Sequence, residues 1–121
     1  MTMKIAAVRL FVEDIPAACV FYGEKLGLKP VSLEAASAIF DAGPLLVVER
    51  ADDEARAEGL VGRFVGVSLA TSDIDALHAK LKAAGCPIVG PPERQPWGGV
   101  LMHVKDPSGN VLSFVEQRRT P

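Results

Sequence analysis

A chain of 121 residues that is 49% apolar and 23% charged can bury one compact core without disulfides or a structural metal. Its formal net charge is −2 and no basic cluster exceeds Arg118-Arg119, which argues against nucleic acid as a partner, because phosphate binding needs several cations on one face. Two cysteines, Cys19 and Cys86, are too few for a disulfide framework. No apolar run nears the roughly 18 residues of a membrane span, and Met1-Thr2-Met3-Lys4 opens without an apolar signal region. The expectation is a cytoplasmic protein with free thiols and no membrane partner.

In chain order, Val8, Leu10 and Val12 alternate with Ala7, Arg9 and Phe11, the period of a strand with two unlike faces. Asp14 stands where a helix N-cap is wanted and Pro16 falls in the first turn, where its missing N–H costs nothing. Ile15, Ala18, Cys19, Tyr22 and Leu26 make one helical stripe that Gly27 stops. Strands are expected at about 28–34, 37–41 and 45–50, with Asp41-Ala42-Gly43-Pro44 as a turn. The polar stretch 51–63 reads as a linker with room for a helical turn.

The pattern then starts again. Val-Arg-Leu-Phe-Val-Glu-Asp-Ile at 8–15 is answered by Val-Ser-Leu-Ala-Thr-Ser-Asp-Ile at 67–74, an offset of 59 residues. Val65, Val67 and Leu69 alternate with Gly66, Ser68 and Ala70; Asp73 caps, Ile74, Leu77, Leu81 and Ala84 form the stripe, and Gly85 stops it. Strands are expected at about 87–90, 99–105 and 110–116, with a Pro/Gly loop at 91–99 and Asp106-Pro107-Ser108-Gly109-Asn110 as a turn. The predicted architecture is α+β: two βαβββ modules, about 4–50 and 64–117, in a single domain spanning 1–121. Sheets of this kind placed edge to edge form a curved cup, the usual home of a ligand.

Val20-Phe21-Tyr22-Gly23-Glu24-Lys25-Leu26-Gly27-Leu28, after a strand ending in Val-Glu-Asp, resembles the FY…LG(L) signature of the vicinal-oxygen-chelate superfamily. Asp106-Pro107-Ser108-Gly109-Asn110 is similar to that family's DPDGN turn. The resemblance spans the whole chain and implies the glyoxalase/bleomycin resistance/dihydroxybiphenyl dioxygenase fold. It also implies metal ligands on the first and last strand of each module. Seven residues before the strand-end aspartates stand Ala7 and Gly66, four after Gly109 stands Ser113, and only Glu49 matches a ligand type. A protein cage for a divalent ion needs three or four donors, so no cofactor is expected, with a rearranged metal site as the alternative.

Strand parity turns Arg9 and Phe11 toward the cup in the first module and Ser113 in the second, and the resemblance places Leu101 and His103 there. Glu49, and Trp97 on the loop before, complete the candidate set. Arg9 either meets a ligand or pairs with Glu49 across the sheet; Trp97, the only tryptophan, either stacks on a flat ligand or anchors a loop or dimer. His103 is the candidate general base, against a purely structural role. His78 reads as packing or surface, and both cysteines as inert, Cys86 for want of an evident base.

Three functions compete, and whether the protein is an enzyme is left open. One is a homodimeric binding protein resembling the bleomycin-resistance branch, sequestering a small molecule without metal. The second is an enzyme of lyase, isomerase or dioxygenase type, either on a rearranged site built from Glu49 and His103 or through His103 alone with Arg9 orienting a carboxylate. The third is a degenerate module whose cup is filled by its own side chains.

Overall fold

A computed structural model describes residues 1–117; the Arg118-Arg119 pair lies outside the described residues. The described residues divide into two compact units, one of Met1–Arg63 with Pro107–Asn110, the other of Phe64–Asp106 with Val111–Gln117. Each unit carries a four-stranded mixed sheet.

The first sheet has the order β1-β4-β3-β2, from β1 (Ala7–Val12), β2 (Lys29–Leu33), β3 (Ser37–Asp41) and β4 (Leu45–Arg50). β1 runs parallel to β4 and the other pairs are antiparallel. The alternation read from sequence is real: Leu10 and Val12 are fully buried, as are Ala38 and Val48 across from them. Helix α1 (Ile15–Cys19) starts where Asp14 Oδ1 accepts from the Ala17 N–H at 3.0 Å.

The 3.6-residue stripe predicted beyond it is wrong in one respect. After Cys19 the helix widens into a π-helical turn, Val20–Lys25, in which the Leu26 N–H bonds the Phe21 carbonyl five residues back. Widening the turn brings two adjacent side chains inward, so Phe21 and Tyr22 are both buried while Cys19 and Leu26 are half-buried. Their rings meet edge to face at 4.9 Å, and Tyr22 also packs on Phe40. Gly23 makes room for this: a Cβ there would stand 3.3 Å from the Phe40 ring.

The stretch read as a linker contains the short helix α2 (Asp53–Ala57), capped by Asp52 and held to the strand end by Arg56 on Glu13 at 2.9 Å. The fully buried Asn110 then closes the unit. Its Oδ1 accepts from the Gly62 and Arg63 N–H groups at 2.9 and 3.3 Å, and its Nδ2 donates to the Phe11 carbonyl at 2.7 Å.

The second sheet has the order β5-β8-β7-β6, from β5 (Phe64–Ala70), β6 (Glu93–Arg94), β7 (Gly99–Lys105) and β8 (Val111–Gln117). Helix α3 (Ile74–Ala83) is capped by Asp73. It packs on β7 and β8, burying Ile74 and Leu81 against Met102, Val104, Leu112 and Phe114. It leaves Val65, Val67 and Leu69 of edge strand β5 only half covered. Leu77 is half-buried and Ala84 exposed, so the stripe is narrower than the sequence suggested.

The strand expected at 87–90 does not form. Pro87 has no N–H to give, Gly90 has φ +142°, and Pro91-Pro92 follow, so only an isolated bridge, Ile88 to Val104, survives. The edge place is taken by the two-residue β6 inside what was read as a loop.

Asn110→Ala is expected to destabilise the fold by about 2–4 kcal/mol, because two N–H groups and one carbonyl that meet a fully buried amide lose their partner at once. Urea unfolding followed by circular dichroism would show it as a lower midpoint at unchanged slope.

Candidate functional site

Register places the candidate residues on the sheet faces turned away from the helices. In the first unit Phe11 pairs with Glu49 and Arg9 with Val47, so Arg9 and Glu49 are diagonal neighbours on one face. The guanidinium grips the carboxylate with both arms, Nε to Oε2 at 2.7 Å and Nη2 to Oε1 at 3.0 Å. The hydrogen bond and charge of Glu49 push the Arg9 pKa further up. The two residues are therefore spent on each other, the pairing foreseen as the alternative to ligand contact. Beside them opens a cavity of about 270 Å³, lined by Phe11 and by Asp52, Glu54 and Glu58 around α2.

In the second unit His103 lies across β7 from Ser113 of β8, and Ser113 across from Ser68 of β5. Leu101 lies across from Val115 on one side and Glu93 of β6 on the other. His103 Nδ1 and Ser113 Oγ are hydrogen-bonded at 2.8 Å. Ser113 is 3% exposed, so its hydroxyl serves to fix the imidazole and is out of reach of a ligand. A small cavity of about 100 Å³, lined by Glu93, Gln95, Leu101 and His103, lies against β7.

Two aromatic rings flank this row. Phe64, 62% exposed, meets the His103 ring edge-on at 6.0 Å. Its place follows from Gly66, whose φ of +79° sits where β5 inserts two extra residues against β8, so that Phe64 stays in step with Ser68. Trp97, 55% exposed, rides on a tight reversal in which the Gln95 N–H bonds the Gly99 carbonyl and the Gly98 N–H bonds the Gln95 carbonyl. Its indole lies over Gly99, where a Cβ would collide with the six-membered ring. Gly99 shares the face of Leu101 and His103, so the indole closes one end of that row and Phe64 the other.

The structure thus gathers Trp97, Leu101, His103 and Ser113 in one unit, and Arg9, Phe11 and Glu49 in the other. Sequence reading missed Phe64, although its alternation with Gly66, Ser68 and Ala70 placed it on the same face. Glu93, Gln95 and the seat at Gly99 carried no readable signal.

The family pattern's metal positions hold Ala7, Gly66 and Ser113, and Glu49 is engaged by Arg9. Among the described residues no three or more His, Cys, Asp or Glu side chains are grouped to hold a metal ion, so the donors present do not fit one.

Paired mixed sheets, each with its first strand parallel to its last and a helix on one face, define the glyoxalase-like class. The chain belongs to the Glyoxalase/Bleomycin resistance protein/Dioxygenase superfamily, whose model matches residues 4–114. Among solved structures it is similar to an antibiotic binding protein from Streptomyces, with 25% identity and a TM-score of 0.79 over 97% of this chain and 98% of that one. It is similar also to a superfamily member from Sphaerobacter thermophilus, at 26% identity and a TM-score of 0.75 over 96% and 98% of the two chains. A lactoylglutathione lyase from Agrobacterium tumefaciens shares the fold at 23% identity, with a TM-score of 0.75 over 96% and 95%. Among curated proteins none matches.

Gly99→Ala is expected to expel the indole from its seat. Trp97 is the only tryptophan, so fluorescence reports it alone: the emission maximum should move to the red while far-ultraviolet circular dichroism stays unchanged.

Proposed function

We propose that this protein binds a small, flat molecule against the exposed face of its second sheet without a catalytic metal, as a binding protein of the drug-sequestering kind. The observation that carries the reading is the pair of exposed rings, Phe64 and Trp97, at the two ends of the row Leu101–His103. Large apolar side chains around a few convergent polar groups are the make-up of small-molecule sites. Glu93, Gln95 and His103 supply the polar groups here. Similarity to an antibiotic binding protein over almost the full length supports the same direction. The working form is a cytoplasmic homodimer, in which a second copy adds cover to the ligand.

A second reading is a metal-free enzyme. The Ser113 hydrogen bond holds His103 at Nδ1, and among the described residues no partner engages Nε2, the arrangement of an oriented general base.

A screen of planar aromatic compounds, read by Trp97 fluorescence and confirmed by calorimetry, is expected to yield stoichiometric binders. Phe64→Ala and Trp97→Ala should each weaken them about tenfold or more. Unchanged affinity in both variants overturns the proposal. So does near-stoichiometric metal, found by elemental mass spectrometry in protein purified without chelator and lost in Glu49→Ala or His103→Ala. Turnover of a bound compound, abolished by His103→Gln with binding intact, would establish the second reading.

A further inference from the structure

On the helix side of the second unit a different chemistry is assembled. His78 and Lys82 stand one turn apart on α3 and so share a face. The helix ends in a Schellman turn: the Gly85 N–H bonds the Lys82 carbonyl, the Cys86 N–H bonds the Leu81 carbonyl, and Gly85 takes φ +76°. That reversal carries Cys86 back along the helix it has just left. His78, Lys82 and Cys86 consequently line one open groove of about 470 Å³, whose far wall is Ile88, Gly90 and Pro91. His78 and Lys82 are the titratable side chains that share this groove with Cys86.

The repeat gives a comparison. The 59-residue offset maps His78 and Lys82 onto Cys19 and Gly23, which line the corresponding groove of the first unit with Val20, Leu33 and Phe40. That groove has a thiol and one acid, Glu24, but no imidazole and no cation, and burial pushes the Cys19 thiol up. Only the second copy puts imidazole and ammonium beside a cysteine.

We propose that the groove of the second unit is a thiol-exchange site, in which Cys86 takes up small anionic disulfides. The thiolate is the reacting form, and an imidazole is the side chain best suited to accept its proton near neutral pH. Lys82 attracts the carboxylate of the incoming disulfide. In the exchange a bond forms from Cys86 Sγ to one sulfur of the reagent and the reagent's own S–S bond breaks. The departing thiolate takes the proton that His78 received, so no further oxidant is consumed. Among the described residues no other titratable side chain lines the groove.

The test uses the full chain with dithiodiglycolate, a dianionic alkyl disulfide, against cystamine, its dicationic counterpart. Peptide mapping by mass spectrometry reads Cys86 and Cys19 in the same molecule. Cys86 is expected to favour the anionic reagent over the cationic one by about tenfold more than Cys19 does, and Lys82→Glu should reverse the preference. His78→Gln should slow modification of Cys86 about tenfold near neutral pH and displace its rate–pH profile to the alkaline side. Cys86 reacting no faster than Cys19, a charge preference unmoved by Lys82→Glu, or a profile unmoved by His78→Gln each overturns the proposal.

Discussion

The buried amide of Asn110 is the constraint on which the rest of the architecture depends. It joins the backbone at Phe11, near the end of β1, to the chain at Gly62 and Arg63, three hydrogen bonds from one fully buried side chain. The Phe11–Val61 bridge lies beside it, and Ser108 Oγ receives the Glu13 N–H. Gly109, at φ +84°, and Gly62, at φ +76°, let the two backbones approach. The consequence runs along the chain in both directions. Phe64 follows Arg63 directly and Val111 follows Asn110, and these are the residues at which β5 and β8 begin to pair. One side chain therefore stands where the β5–β8 pairing starts, the pairing that brings Ser113 level with Ser68.

On the common scaffold the two copies have diverged in what they expose. In the first, a bidentate ion pair occupies the open face, neutralising Arg9 and Glu49 in place and leaving the acids around α2 as the unneutralised charge. In the second, the corresponding face is largely uncharged, with an imidazole held by a hydroxyl between two exposed rings. The helix sides differ as well: mostly apolar with one acid, Glu24, beside Cys19, and cationic beside Cys86. Duplication supplies the framework, and each face is then free to take its own chemistry because buried positions, not exposed ones, hold the fold.

What was legible in the sequence follows the same division. Leu10, Val12, Ile74, Leu81 and the turn at Asp106–Asn110 are set by burial and by backbone conformation, and both leave marks in residue type and spacing. Strand parity reaches Ser113, and the family resemblance supplied Leu101 and His103 beside it. Phe64 was lost because the strand was taken to begin one residue late. The π-helical turn was invisible because a 3.6-residue stripe and a widened turn share Ile15, Ala18 and Tyr22, and differ in burying Phe21 more deeply than Cys19 and Leu26. Trp97 could be named but not placed: an indole lying over Gly99 depends on the course of a Pro/Gly loop, which no periodicity encodes.

The exposed rings also bound how tightly a ligand could be held. Side chains of this size carry roughly 150–250 Å² each, and a little over half is exposed on Phe64 and on Trp97. Covering both thus removes on the order of 250 Å² of protein surface and a similar area of ligand. At about 25 cal/mol per Å² that is roughly 12 kcal/mol in all, from which association takes at least about 4 kcal/mol. What remains is near 8 kcal/mol, the level of a micromolar complex. A single sheet face of this kind can capture a flat molecule but not retain it against dilution. Tight sequestration requires the ligand's other face to be buried as well, and on the present proposal that second surface is what dimerisation supplies.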